Sequence, residues 1–157
     1  MADLEKAKRA YATIIAMMNE DNLKYQREDE KLRIKISFST NDLDVDMIFS
    51  VDADRSLVRM ISFLPDECTF SSNDIVKGAV AVCVANHNMV NGSFDYDINE
   101  GDIFFKLVDS YRAGDITVET VRYMLSTALH TIDQYNDRFR DLANGTMSLN
   151  DFIAAEG

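Results

Sequence analysis

Residues 56–64, Ser-Leu-Val-Arg-Met-Ile-Ser-Phe-Leu, constrain this chain more than any other stretch. In an extended strand, successive side chains point to opposite faces of the sheet. Leu57, Ile61 and Phe63 then share one face, while Val58, Met60 and Leu64 share the other; only Arg59 and Ser62 interrupt them. A strand that is apolar on both faces has to be covered on both. Either further elements of the same chain supply both covers, or one face meets a second subunit or a partner. The small size of the chain favours the second reading, because an added layer is hard to supply.

The residues before it alternate in the ordinary way. Leu32, Ile34, Ile36 and Phe38 are separated by Arg33, Lys35 and Ser37; Leu43, Val45, Met47, Phe49 and Val51 are interleaved mostly with Asp and Ser, and with Ile48. Two half-buried strands are expected, with a shorter strand over Leu23 to Glu28 before them. A turn at Thr40-Asn41 sets Phe38 against Leu43, Ile36 against Val45, Ile34 against Met47 and, on the wet side, Lys35 against Asp46. Asp52 to Arg55 forms the turn into the two-faced strand.

Helical spacing appears elsewhere. Leu4, Ala7, Tyr11, Ile14, Ile15 and Met18 line one side of a helix over residues 3–20. Residues 73–88 read as a second helix, capped by Ser71 with Asp74, and apolar nearly all round with Lys77 as its only charge. Asn91-Gly92 signals a turn into a hairpin of Phe94, Tyr96 and Ile98 with Ile103, Phe105 and Leu107, in which Asp95 falls opposite Lys106. Thr117 caps a long helix with the stripe Val118, Val121, Leu125, Ala128, Ile132, Tyr135, Phe139 and Leu142, ended by Asn144-Gly145. A short helix from Ser148 packs Leu149, Phe152 and Ile153. Helices flanking an antiparallel sheet make the class α+β, in one domain over residues 1–157.

A formal charge of −11 repels phosphate backbones and anionic lipid, so neither nucleic acid nor membrane is an expected partner. The basic residues Lys24, Arg27, Lys31, Arg33 and Lys35 are interleaved with Glu28, Asp29 and Glu30. No signal-peptide pattern opens the sequence, no apolar run spans a bilayer, and the two cysteines, Cys68 and Cys83, lack metal or redox spacing. A cytoplasmic protein with reduced thiols is the expectation.

The apparent chemical sites fail on spacing. A calcium loop requires glycine at its sixth position and glutamate at its twelfth; counted from Asp42, those places hold Met47 and Ala53. Counted from Asp95, the glycine comes one place late and Lys106 stands where the bidentate carboxylate belongs. A small-ligand or divalent-cation-responsive sensor that uses the acidic strand and the turn with Asp95 and Asp97 stays as the alternative reading. Cys83 and His87 are one helical turn apart, yet Cys83 sits amid valines, where a thiolate is disfavoured. No catalytic, metal or cofactor site is expected. The candidate interface residues are Ile48, Leu57, Met60, Ile61, Phe63, Val76, Val80 and Val84.

Several segments together resemble a known family. They are Asp42-Leu43-Asp44-Val45-Asp46 with Arg55-Ser56-Leu57-Val58-Arg59-Met60-Ile61-Ser62-Phe63-Leu64, then Val84-Ala85-Asn86-His87-Asn88, Val90-Asn91-Gly92-Ser93-Phe94-Asp95-Tyr96-Asp97 and Thr131-Ile132-Asp133-Gln134-Tyr135-Asn136-Asp137. They are similar to the YbjN-type bacterial family, described as sensory-transduction regulators. That family looks like the type III secretion chaperone fold, an α-β-β-β-α-β-β-α order in small acidic homodimers that hold an extended segment of an effector protein. The resemblance implies a homodimer, an unidentified protein partner and no catalytic residues.

Overall fold

A computed structural model describes residues 3–39 and 42–156 of the chain. Helix α1 (Leu4–Glu20) leads into strands β1 (Gln26–Glu28), β2 (Arg33–Ser39), β3 (Asp44–Asp52) and β4 (Leu57–Phe63). Helix α2 (Ile75–His87) follows, then β5 (Ser93–Tyr96), β6 (Ile103–Ser110) and helices α3 (Val118–Ala143) and α4 (Leu149–Glu156). The strands form one antiparallel sheet in the order β1-β2-β3-β4-β6-β5, so β4 is interior. The class is α+β, as the element order implied.

The core lies on one face of the sheet. Ile34, Phe49, Met60 and Leu107 form one register row across β2, β3, β4 and β6, and all four are buried. The next row runs Ile36, Met47, Ser62, Phe105 and Phe94. Helix α3 closes over it: the Phe139 ring stands 5.1 Å from Phe94, which in turn stands 5.3 Å from Phe105. The long stripe read from the sequence supplies Val121, Leu125, Ala128, Ile132, Phe139 and Leu142 to this core. Helix α1 adds Ile14, Met17 and Met18. Its C-terminal end is tied to α3 by Arg122, which reaches Asp21 at 2.9 Å, Glu20 at 3.1 Å and Glu119 at 2.6 Å.

Helix α2 covers the edge strand β5 on that same side. Tyr96 shares the parity of Phe94, and its hydroxyl donates to the Ile75 carbonyl at 2.8 Å. Asn86 uses its side-chain amide like a strand neighbour, accepting from the Phe94 N–H at 2.8 Å and donating to the Phe94 carbonyl at 2.9 Å. Gly78 lies where a Cβ would collide with Tyr96 and Phe70, so only glycine permits this approach.

Several local expectations are corrected. Phe38 pairs with Val45, Ile36 with Met47, Ile34 with Phe49 and Lys35 with Ile48, two residues away from the expected register. Ser39 pairs with Asp44, so the connection takes four residues, and the expected Thr40-Asn41 turn lies outside the described residues. A slip of two preserves every face, so alternation cannot detect it. Lys35 therefore pairs with Glu28 at 3.1 Å instead of Asp46, which accepts from Ser37 at 2.5 Å. Asp95 lies opposite Phe104, yet still reaches Lys106 diagonally at 2.5 Å. The second helix begins later than expected: Ser71 to Asn73 precede it in a turn, and Asp74 occupies its N-cap. Ile153 is 41% exposed and lies outside the core, whereas Phe152 is fully buried. The caps at Thr117 and Asn144-Gly145 are as expected; Thr117 Oγ1 accepts from the Thr120 N–H at 3.1 Å and Gly145 has φ +85°.

Candidate functional site

The helices that pack on the sheet do so on its inner face, which leaves the outer face bare among the described residues. Parity decides what is displayed there. Ile48 of β3 pairs with Ile61 of β4, and this pair is flanked by Lys35 on β2 and Lys106 on β6. In the adjoining row Phe63 pairs with Phe104, with ring centroids 6.2 Å apart, between Asp46 and Asp95. On the other side Arg33, Ser50, Arg59 and Val108 form a third row, and Asp52 and Leu57 begin a fourth. Ile48, Leu57, Ile61 and Phe104 are half-buried by their neighbours, while Phe63 is 41% exposed. The result is an apolar centre ringed by charge.

A groove of about 490 Å³ opens beside this centre, lined by Lys24, Tyr25, Lys35, Ser37, Asp46, Ile48 and Phe63 among others. It exists because β1 is short. Its three residues pair only with Arg33, Ile34 and Lys35, so among the described residues β2 runs on to Ser39 with no strand paired to it on that side.

A second apolar stripe runs along α2. Val76 is 72% exposed, Val80 is exposed and Val84 is half-buried, whereas Gly78, Ala81, Val82 and Ala85 face inward. Val84 and His87 meet Ile153 of α4 around a shallow depression of about 370 Å³. The helix that reads as apolar all round is thus buried on one side only.

Of the eight candidate interface residues, seven lie on one or other of these surfaces. Met60 does not: it is fully buried on the inner face, and its neighbour in the chain, Ile61, is the one displayed. The structure does not bring the two groups together as one patch; Ile48, Leu57, Ile61 and Phe63 belong to the sheet, and Val76, Val80 and Val84 to the stripe on α2. Phe104 and Val108 complete the sheet surface and escaped the sequence reading. The signal was present, since β6 alternates Ile103, Phe105 and Leu107 with Phe104, Lys106 and Val108 and is therefore two-faced as well.

The acidic turn is engaged in its own scaffolding. Asp97 accepts from the Asn99 N–H at 2.9 Å and lies 3.3 Å from the Glu100 N–H, Asp102 accepts from Thr69 at 2.8 Å, and Asp95 holds Lys106. Among the described residues no group of three or more His, Cys, Asp or Glu side chains is arranged to hold a metal ion. Cys83 corrects the sequence reading, because it is exposed. Cys68 is the buried cysteine; burial pushes its thiol up to about 12, and it donates to the Asn136 carbonyl at 3.5 Å. Within the interleaved basic segment Arg27 pairs with Asp29 at 2.9 Å and Lys35 with Glu28 at 3.1 Å, while Arg33 meets Glu28 at a longer 3.4 Å. Among the described residues no helix is long and apolar enough to cross a membrane.

No family model matches the sequence, and no curated protein does. Solved structures do. One is a chain of the HopA1–SchA chaperone–effector complex, 11% identical, with a TM-score of 0.57 over 87% of this chain and 99% of that one. The fold is chaperone-like. A chain of the ExsC–ExsE complex is similar too, at 10% identity and a TM-score of 0.52, covering 87% of this chain and 95% of that one. At such identities the likeness concerns backbone arrangement, so a chaperone-like fold of this chain can display a quite different set of side chains on its bare sheet face.

Proposed function

We propose that this protein is a chaperone-like adaptor that holds a segment of another protein against the outer face of its sheet. One observation carries the reading: β4 is interior and two-faced, with the core against Val58 and Met60 and, among the described residues, no helix over Leu57, Ile61 and Phe63. Apolar surface left in water is worth about 25 cal/mol per Å² when covered, so this face favours an occupant. The similarity in fold to a chain of a chaperone–effector complex supports the same reading. The chain then acts by binding, with no chemistry of its own and no cofactor.

The α2 stripe of Val76, Val80 and Val84 is the self-association surface in this reading. A homodimer formed there leaves both sheet faces free, one for each bound segment. The resemblance to the YbjN-type family adds a biological role to this proposal, that of a cytoplasmic regulator.

The test is site-specific crosslinking in the native cells, with a photoreactive phenylalanine analogue at position 63 and, as a control, at exposed position 126 on α3. One dominant protein adduct at 63, absent at 126 and lost in an Ile61→Asp background, is the expected result. Equal adducts at both positions, or insensitivity to Ile61→Asp, would overturn the assignment of this face.

A further inference from the structure

The outer face also specifies the chemistry of its occupant. Its third row crosses Glu28, Arg33, Ser50, Arg59 and Val108. Neighbouring strands lie about 4.8 Å apart, so Arg33 and Arg59 stand on either side of the small Ser50 side chain, about 10 Å from one another across the sheet. Arg33 meets Glu28 on the side away from Ser50, and Arg59 meets Asp52, which lies on the same strand as Ser50 and two residues beyond it; both contacts are long, at 3.4 Å. The Nε–H of both arginines is closed to water and has no hydrogen-bond partner. One row further, Lys35 and Lys106 bracket the Ile48–Ile61 pair. Four cations thus surround the apolar centre, each with a carboxylate beside it: Lys35 and Lys106 are closely paired with Glu28 and Asp95, whereas the two arginines are held only loosely.

A partner that covers this face removes the remaining water from the two guanidinium groups. Unless it brings an acceptor, it leaves buried charge less well solvated than before. A carboxylate matches the planar fork of arginine better than any other side chain. Both arginine side chains are long and about two-fifths exposed, so each can turn toward an acceptor placed above Ser50. Exposed charges beyond a Debye length of about 8 Å are screened at physiological salt, so the carboxylates that oppose such a group are the near ones, Glu28 and Asp52, each already met by an arginine. A second copy docked here about a two-fold axis through Ser50 would set arginine against arginine.

Resting on the outer face being the protein-binding site, we infer that it docks an extended segment with a carboxylate at one position and apolar residues two and four places along. Two residues of extended chain advance about 6.8 Å, the spacing between register rows. With its carboxylate over Ser50, such a segment lays its next two inward side chains over Ile48–Ile61 and over Phe63–Phe104.

Fluorescent twelve-residue peptides test this, built on Glu-Ser-Val-Ser-Phe with Ser and Gly flanks, beside versions with Gln or Lys in place of Glu. The Glu peptide is expected to bind about tenfold more tightly than the Gln peptide by anisotropy, with the Lys peptide weakest. Arg33→Gln with Arg59→Gln brings the Glu peptide down to the Gln level and leaves the Gln peptide unchanged. Should that variant fail to fold by circular dichroism, Arg33→Lys with Arg59→Lys keeps the charge and removes Nε, and an intermediate loss is expected. Glu and Gln peptides bound equally, in an Ile61-dependent way, would overturn the inference and spare the binding role. No binding by any peptide, together with no site-specific crosslink at position 63, would overturn both. Conversion of a dimer to a monomer by Ile61→Asp would make this face a contact between copies and overturn the carboxylate segment.

Discussion

Met60 is sealed in the core between Phe49 and Leu107, while Ile61, the next residue along β4, stands half-exposed opposite Ile48 on the helix-free face. Adjacent side chains of similar size thus do different work. Met60→Ala is expected to cost about 2 to 5 kcal/mol by urea unfolding, through lost burial and a residual cavity. Ile61→Ala should cost under about 1 kcal/mol, because water already reaches that site. Equal costs would mean that the outer face is packed by something within the chain.

The α2 stripe gives a test of oligomeric state. Val76→Glu with Val80→Glu places two charges on exposed positions of a helix whose buried side is Gly78, Ala81, Val82 and Ala85. Light scattering coupled to size exclusion should show a dimer becoming a monomer with an unchanged circular dichroism spectrum. A wild-type chain that is monomeric at tens of micromolar would remove α2 from the proposed dimer.

The two thiols should be told apart by reagent. Cys83 is exposed and should react with an aromatic disulfide at pH 8 within minutes. Cys68 is buried, its thiol pushed up to about 12 by desolvation, and should react only once the protein unfolds. Two fast thiols in the native protein would place Cys68 outside the core.

Acid stability follows from four carboxylates held below their ordinary values. Asp21 is lowered by its hydrogen bonds from Arg122, Glu28 by Lys35, Asp29 by the Tyr11 hydroxyl and then Arg27, and Asp52 by the Arg55 backbone N–H and side chain. A carboxyl with a lowered folded pKa contributes stability that is complete above its unfolded value, 3.8 for Asp and 4.5 for Glu, and fades as pH falls through the folded value. Urea midpoints should therefore hold level down to about pH 5 and fall below about pH 4. Asp21→Asn should make that fall shallower; an unchanged slope would mean that the Arg122 contacts are not maintained in solution.

The local rules of the chain settled a great deal. Period-two alternation in residues 32–51, the helical stripes of α1 and α3, the caps at Thr117 and Asn144-Gly145 and the double apolar pattern of residues 57–64 determine element type, order and the α+β class. They do so because a side chain's face depends only on its own place in the repeat. The same rules showed that β4 presents apolar groups on two sides.

Only the tertiary structure decided which side the chain covers itself. Alternation is blind to a register slip of two, so it misplaced Lys35 and Asp46 and could not show Arg33, Ser50 and Arg59 lining up across three strands. Met60 and Ile61 were indistinguishable in the sequence, and so were the buried and exposed valines of α2. What separated them is where α1, α2 and α3 come to rest, all on one face of the sheet, and that depends on contacts between residues far apart in the chain. Phe94 against Phe139 and Tyr96 against Ile75 fix those positions. By the same contacts they leave the opposite face of the sheet open to a partner.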